Sequence, residues 1–215
     1  MPRIAAISAV PLIFTLSPVH AAEPAEFFDR PAFLARAGVL RVIDFDSKSP
    51  GDNAIAENEY LSRGLRIVQR AGLGINVVQN TVPGGYGANF VTAANLNSAP
   101  NAISTSIGAS SASPGPPDNF DFILTRPATA AGLFVGNLGA LGDQATLIEF
   151  LDADGRTIAA ESIDGSHPGV VNGSLGVNWD NRIFYGTVSE TPVKTIRVTK
   201  SKDSPREFFR LQGKP

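Results

Sequence analysis

Apolar side chains recur at every second position in short runs of this chain, and that period restricts its fold more than any other feature. A period of two places one face of an extended strand in a core and the other in water. In 41–46, Ile43 and Phe45 share one face while Asp44 and Asp46 share the other. In 64–70, Leu65 and Ile67 alternate with Arg66 and Val68, and 75–79 repeats the style. Phe120, Phe122 and Leu124 alternate with Asp121 and Ile123, and 194–200 turns Ile196 and Val198 inward with Thr195, Arg197 and Thr199 outward. The run 131–135 is nearly continuously apolar. The run 145–151 is apolar on both faces, which suits a central strand, and 156–163 pairs back to it. Several short strands separated by turn residues predict an all-β, jelly-roll-like antiparallel sandwich.

Punctuation supports the pattern. Asp154-Gly155 joins two strands, with glycine free to take the positive φ of a hairpin turn. The string Asp152-Ala153-Asp154-Gly155 also opens like a calcium loop, but such a loop closes on Glu at its twelfth position and Ile163 stands there. A turn is therefore expected. One helix is predicted over 26–38: Asp29 as N-cap, Pro31 in the first turn, Phe28 and Phe33 as a hydrophobic staple, Gly38 as terminator. The stretch 80–119 is rich in Gly, Ala, Ser, Asn and Pro, and Phe90-Val91 and Ala102-Ile103 mark candidate anchors within it.

The first residues carry a different signal. Arg3 precedes an apolar run from Ile4 to Leu16, and the small residues of Val19-His20-Ala21-Ala22 follow. This is the order of a secretory signal peptide, too short to span a membrane as a helix. The expected division is 1–22 signal peptide, 23–39 N-terminal helix packed on the domain, and 40–215 sandwich. The expected location is secreted or periplasmic, with no membrane span in the mature chain.

Composition narrows the chemistry. The net charge is −2, so no polyanion is held by charge and nucleic acid is excluded as a partner. There is no cysteine, which removes disulfides, thiolate metal sites and cysteine nucleophiles. Of two histidines, His20 leaves with the leader and only His167 remains, in the turn-like string Gly165-Ser166-His167-Pro168-Gly169. It reads as a surface loop residue. Asp44 and Asp46 stand about 7 Å apart at strand rise, a spacing that glycosidase carboxylates share but that any solvated strand end also shows. The same pair could offer oxygens to a structural calcium; no cofactor is otherwise expected. Trp179, in Asn178-Trp179-Asp180-Asn181-Arg182, and Tyr86 with Asn89 in the Gly-rich stretch put aromatic faces beside polar groups on predicted loops. That combination suits stacking under a sugar ring with hydrogen bonds to its hydroxyls. A tryptophan covering one end of the core is the plainer alternative for Trp179.

A set of short motifs resembles a known family. It runs from Phe28-Asp29-Arg30-Pro31-Ala32-Phe33-Leu34-Ala35 through Val42-Ile43-Asp44-Phe45-Asp46, Tyr60-Leu61-Ser62-Arg63-Gly64-Leu65 and Ser98-Ala99-Pro100-Asn101-Ala102-Ile103. It continues at Phe120-Asp121-Phe122-Ile123-Leu124-Thr125-Arg126-Pro127, Ala131-Gly132-Leu133-Phe134-Val135, 147–155 and Phe184-Tyr185-Gly186. The series resembles exported bacterial β-sandwich domains that often carry a PEP-CTERM sorting tail, similar in architecture to galactose-binding and carbohydrate-binding modules. No sorting tail is present, so anchoring through one is not expected. The resemblance implies a non-catalytic exported domain with a glycan or an envelope or matrix component as partner. The alternatives are an interaction domain with no small ligand and, third, a secreted glycoside-active enzyme.

Overall fold

A computed structural model describes residues 22–45, 47–48, 51–79, 101–104, 119–136, 145–172, 181–200 and 208–214. In chain order the elements are β1 (Ala25–Phe27), α1 (Arg30–Ala37), β2 (Arg41–Ile43), β3 (Gly51–Ile55), a short 3-10 turn (Leu61–Arg63), β4 (Leu65–Gln69), β5 (Ile75–Gln79) and β6 (Asn101–Ser104). They continue with β7 (Phe120–Gly136), β8 (Thr146–Leu151), β9 (Thr157–Ile163), β10 (Val171–Asn172), β11 (Asn181–Lys200) and β12 (Phe208–Lys214). Among the described residues all strand pairings are antiparallel, and the fold is the all-β class expected from the alternation.

Two long strands, β7 and β11, pair along most of their lengths and belong to two layers at once. In layer one, Phe120 to Ile123 pairs with Thr195 to Val198, flanked by β4 on one side and by β8 and β9 on the other. In layer two, Ala130 to Gly136 pairs with Arg182 to Val188, flanked by β12, β2, β6, β5 and β3 on one side and by β1 and β10 on the other. Between the layers the register shifts at Val188/Val193 and again at Val193/Thr195. Strands that pass from sheet to sheet do so through such bends. The corner is pinned by Lys194, whose Nζ donates to the carbonyls of Leu124 (2.6 Å) and Thr125 (3.2 Å). Pro127 sits here, exposed, where its missing N–H costs no ladder bond.

The layers close on one apolar interior. Phe120, Phe122, Ile148, Phe150, Ile196 and Val198 of layer one share a core with Val77, Ile103, Leu133, Val135, Ile183 and Tyr185 of layer two. Phe150 meets Tyr185 edge-on at 5.1 Å, directly across the gap. A second, smaller core lies on the outer side of layer two, where α1 sets Phe33 and Ala37 on Ala130, Phe134 and Phe184. The outer side of layer one is polar. Arg197 grips Asp121 with two bonds (2.9 and 3.0 Å) and Arg70 approaches the same carboxylate at 3.2 Å. Bonding to Asp121 favours the charged guanidinium of Arg197, against partial burial.

The helix differs from its expected bounds. Asp29 is the N-cap, its carboxylate accepting from the Ala32 amide at 2.9 Å, and Gly38 ends the helix at φ 73°. Glu26 and Phe27, read from sequence as the start of the helix, belong instead to strand β1, because pairing with Gly186 to Val188 satisfies backbone groups that a helix start would leave open. The runs 120–124 and 131–135, read as two strands, are one continuous β7.

Candidate functional site

The long strands give the sandwich a corner at one end and an open end at the other. At the open end stand Phe120 and Lys200 of layer one, with Thr146 opposite Lys200 and Ile163 opposite Thr146. The matching residues of layer two are Gly136, Arg182 and Phe208, which lie side by side in register. The segments 105–118, 137–144, 164–170, 173–180 and 201–207 therefore all attach to strand ends on this side. The segment 80–100 attaches elsewhere. It joins Gln79 to Asn101, paired partners at the other strand end of β5 and β6.

Trp179, Asp180, Tyr86 and Asn89 lie outside the described residues. Asn181 opens β11 opposite Asn172 of β10, so Trp179 and Asp180 are attached at the open end. Tyr86 and Asn89 belong to the segment attached at the opposite strand end. The described strands thus do not bring the two aromatic candidates to one end. Asp46 is also outside the described residues. Asp44 follows the end of β2, and its carboxylate stands 4.0 Å from the Arg63 guanidinium, which donates to the Val42 carbonyl at 3.2 Å. The Asp152 string is a turn: Asp152 Oδ1 accepts from the amides of Asp154 and Arg156, both at 2.8 Å, and Gly155 has φ 79°. Among the described residues no group of three or more His, Asp or Glu side chains could hold a metal ion.

The residues that sequence reasoning passed over lie beside the open end. Tyr185, fully buried on β11, donates its hydroxyl to the Glu26 carboxylate on β1. Burial, then that bond, pushes the phenol's pKa far above its ordinary range. Phe28 lies flat on Tyr185, rings 5.1 Å apart and 9° from parallel. His167 also packs on Phe28, ring centroids 4.6 Å apart and tilted by 45°. His167 is not the surface residue expected from its loop; its side chain is only 15% exposed. Its Nδ1 accepts from the Gly169 amide at 3.1 Å, so in the neutral ring the proton sits on Nε2, which faces Glu161 Oε1 at 3.6 Å. Glu161 occupies an inward position on edge strand β9, between the buried Ala159 and Ile163. Inward charge of this kind discourages an edge strand from pairing with another chain. The loop is closed further by Asp164, which accepts from the Ser166 amide and hydroxyl at 2.8 and 2.6 Å. The hydroxyl bond, with the backbone amides of Ser166 and His167, holds the Asp164 carboxyl below its ordinary value, against the opposing effect of burial. No sequence period signals this cluster, because Phe28, His167 and Tyr185 come from three distant parts of the chain.

Among the described residues no helix is long and apolar enough to cross a membrane. No family model matches the sequence, and no curated protein matches it. Among solved structures the chain is similar to the cleaved adhesin domain of Lys-gingipain from Porphyromonas gingivalis, at 11% identity and a TM-score of 0.36, over 83% of this chain and 100% of that one.

Proposed function

We propose that this chain is an exported, non-catalytic β-sandwich domain that binds a glycan of the cell envelope or surrounding matrix. The observation that carries the reading is the gathering of connecting segments at the open end, among them the one bearing Trp179 and Asp180, which runs into Asn181 at the start of β11. Loops presented by a rigid strand scaffold are where recognition concentrates. In this reading the Trp179 indole stacks on a sugar ring while Asp180 and Asn181 bond its hydroxyls. Tyr86 and Asn89, attached at the other strand end, form a separate contact. Export is supported by Arg3, the apolar run 4–16 and the small residues before Glu23. The non-catalytic reading is supported by His167, whose Nδ1 and ring face are committed to Gly169 and Phe28.

The test is a glycan array probed with the mature chain, in calcium and in chelator. Reproducible binding that weakens at least about tenfold in Trp179→Ala is expected, the loss of a stacked aromatic. Retention of no glycan by the folded wild type would overturn the reading in favour of an interaction domain without a small ligand. Turnover of a polysaccharide abolished by Asp44→Asn would overturn it in favour of an enzyme.

A further inference from the structure

The strand β10 has two residues. Among the described residues it pairs with β11 at Val171–Arg182 and Asn172–Asn181, and Val170 just before it packs on the main core. An isolated pairing of this length does not sustain itself in water. What precedes it is a tight loop: the Val170 amide donates to the His167 carbonyl at 2.9 Å, and the His167 amide to the Asp164 carbonyl at 3.2 Å. That loop presses against the N-terminal strap, β1 and Phe28. A Cβ on Gly169 would come within 2.9 Å of Phe28 Cβ and 3.1 Å of Ile183 Cδ1, so only glycine allows this approach. Phe28 packs on both His167 and Tyr185, and the Glu26–Tyr185 bond fixes the strap two residues earlier.

From this we infer that Phe28 is a positioning residue: the N-terminal strap clamps the 164–170 loop and so sets the register of β10 on β11. The consequence for binding rests on the proposed glycan reading, because residues 173–180, with Trp179, follow β10 directly. The strap is then a working part of the recognition end, and a partner or protease that lifts it would weaken binding from a distance. The clamp itself is independent of any ligand.

Native-state hydrogen exchange on the ligand-free mature chain tests it. In Phe28→Ala the protection of the Gly169 and Val170 amides is expected to fall about tenfold, the scale of a lost aromatic contact, while Ile148 and Phe150 in β8 keep theirs. His167→Ala removes the Gly169 acceptor outright, so there the readout is Val170, whose amide bonds the His167 carbonyl and is expected to show the same local loss. At Val170 the double variant should lose no more than His167→Ala alone, since the Phe28–His167 contact is already gone in it. Phe28→Tyr, which keeps the ring, should retain wild-type protection. As a second readout, Trp179 is the sole tryptophan, so acrylamide quenching of its fluorescence should rise in Phe28→Ala and stay unchanged in Phe33→Leu. Unchanged protection at Gly169 and Val170 in Phe28→Ala, or a loss shared equally by β8, would overturn the clamp. Failure of the wild type to bind any glycan would leave these exchange results standing and remove only their consequence for binding.

Discussion

Tyr185 shows what a single residue does in this fold. Its ring is part of the main core, stacked on Phe28 and edge-on to Phe150, while its hydroxyl reaches the carboxylate of Glu26 on the edge strand. A buried phenol needs such a partner, because an unmade bond would carry its full desolvation cost. Burial and the neighbouring carboxylate both disfavour the phenolate, so the folded pKa lies above the unfolded value of about 10. The stabilisation is therefore complete below about pH 10, where both states are protonated, and falls as the unfolded phenol ionises at higher pH. Tyr185→Phe is expected to cost about 1 kcal/mol near neutrality. The gap between the urea midpoints of wild type and Tyr185→Phe should shrink above about pH 10 and then reverse. A gap that stays constant through that range would show that the phenol is not held neutral by the fold.

At the scale of elements, the packing of α1 depends on two glycines facing each other across β7 and β11. Gly132 and Gly186 are paired in register, and the Phe184 ring lies over both. A Cβ on Gly132 would stand 2.7 Å from Phe184 Cζ and 3.0 Å from the Gly186 backbone. Phe33 of α1 packs on that same ring at 5.0 Å, and Phe134 meets it edge-on at 5.2 Å. Gly132→Ala should thus displace Phe184 and loosen the helix, costing about 1–3 kcal/mol as overpacked cores do. Chemical denaturation measures it, and Phe184→Leu in the Gly132→Ala background should recover part of the loss. An unaltered midpoint would mean that the ring has somewhere else to go. These glycines were legible in the sequence only as gaps in an apolar run. The strands with clean alternation, β4 and the Phe120 half of β7, could be read directly because one face is drier than the other. Strand β3, with the sequence Gly-Asp-Asn-Ala-Ile, and the three residues of β1 carry too few apolar positions to show a period. Phe28 packs on the main core and Phe33 in the smaller one, where Phe27 meets it edge-on at 5.9 Å. The Trp179 group was legible by residue type alone; what the strand register adds is the end of the sandwich to which it is attached.

The whole molecule is organised by sharing. A sandwich of two separate sheets can in principle lose one layer and keep the other. Here β7 and β11 supply central strands to both layers, and their two halves are joined through the corner held by Lys194. Melting layer one would strip the inner face from Leu133, Val135, Ile183 and Tyr185 of layer two, all of which are buried against it. The cost of exposing a fully buried large side chain is about 1.5–3 kcal/mol, so exposing these four together approaches the whole stability of an ordinary domain. Neither layer should therefore survive alone. Calorimetric and van't Hoff enthalpies of thermal unfolding are expected to agree. The exchange of the slowest amides in β8, deep in layer one, should have the same denaturant dependence as that of β7 near Leu133 in layer two. Two resolved transitions, or a sub-global opening confined to β4, β8 and β9, would show that the corner is a hinge between independent sheets. In that case the loops of the open end would have no fixed spacing, and recognition across them would have to be assembled by the ligand.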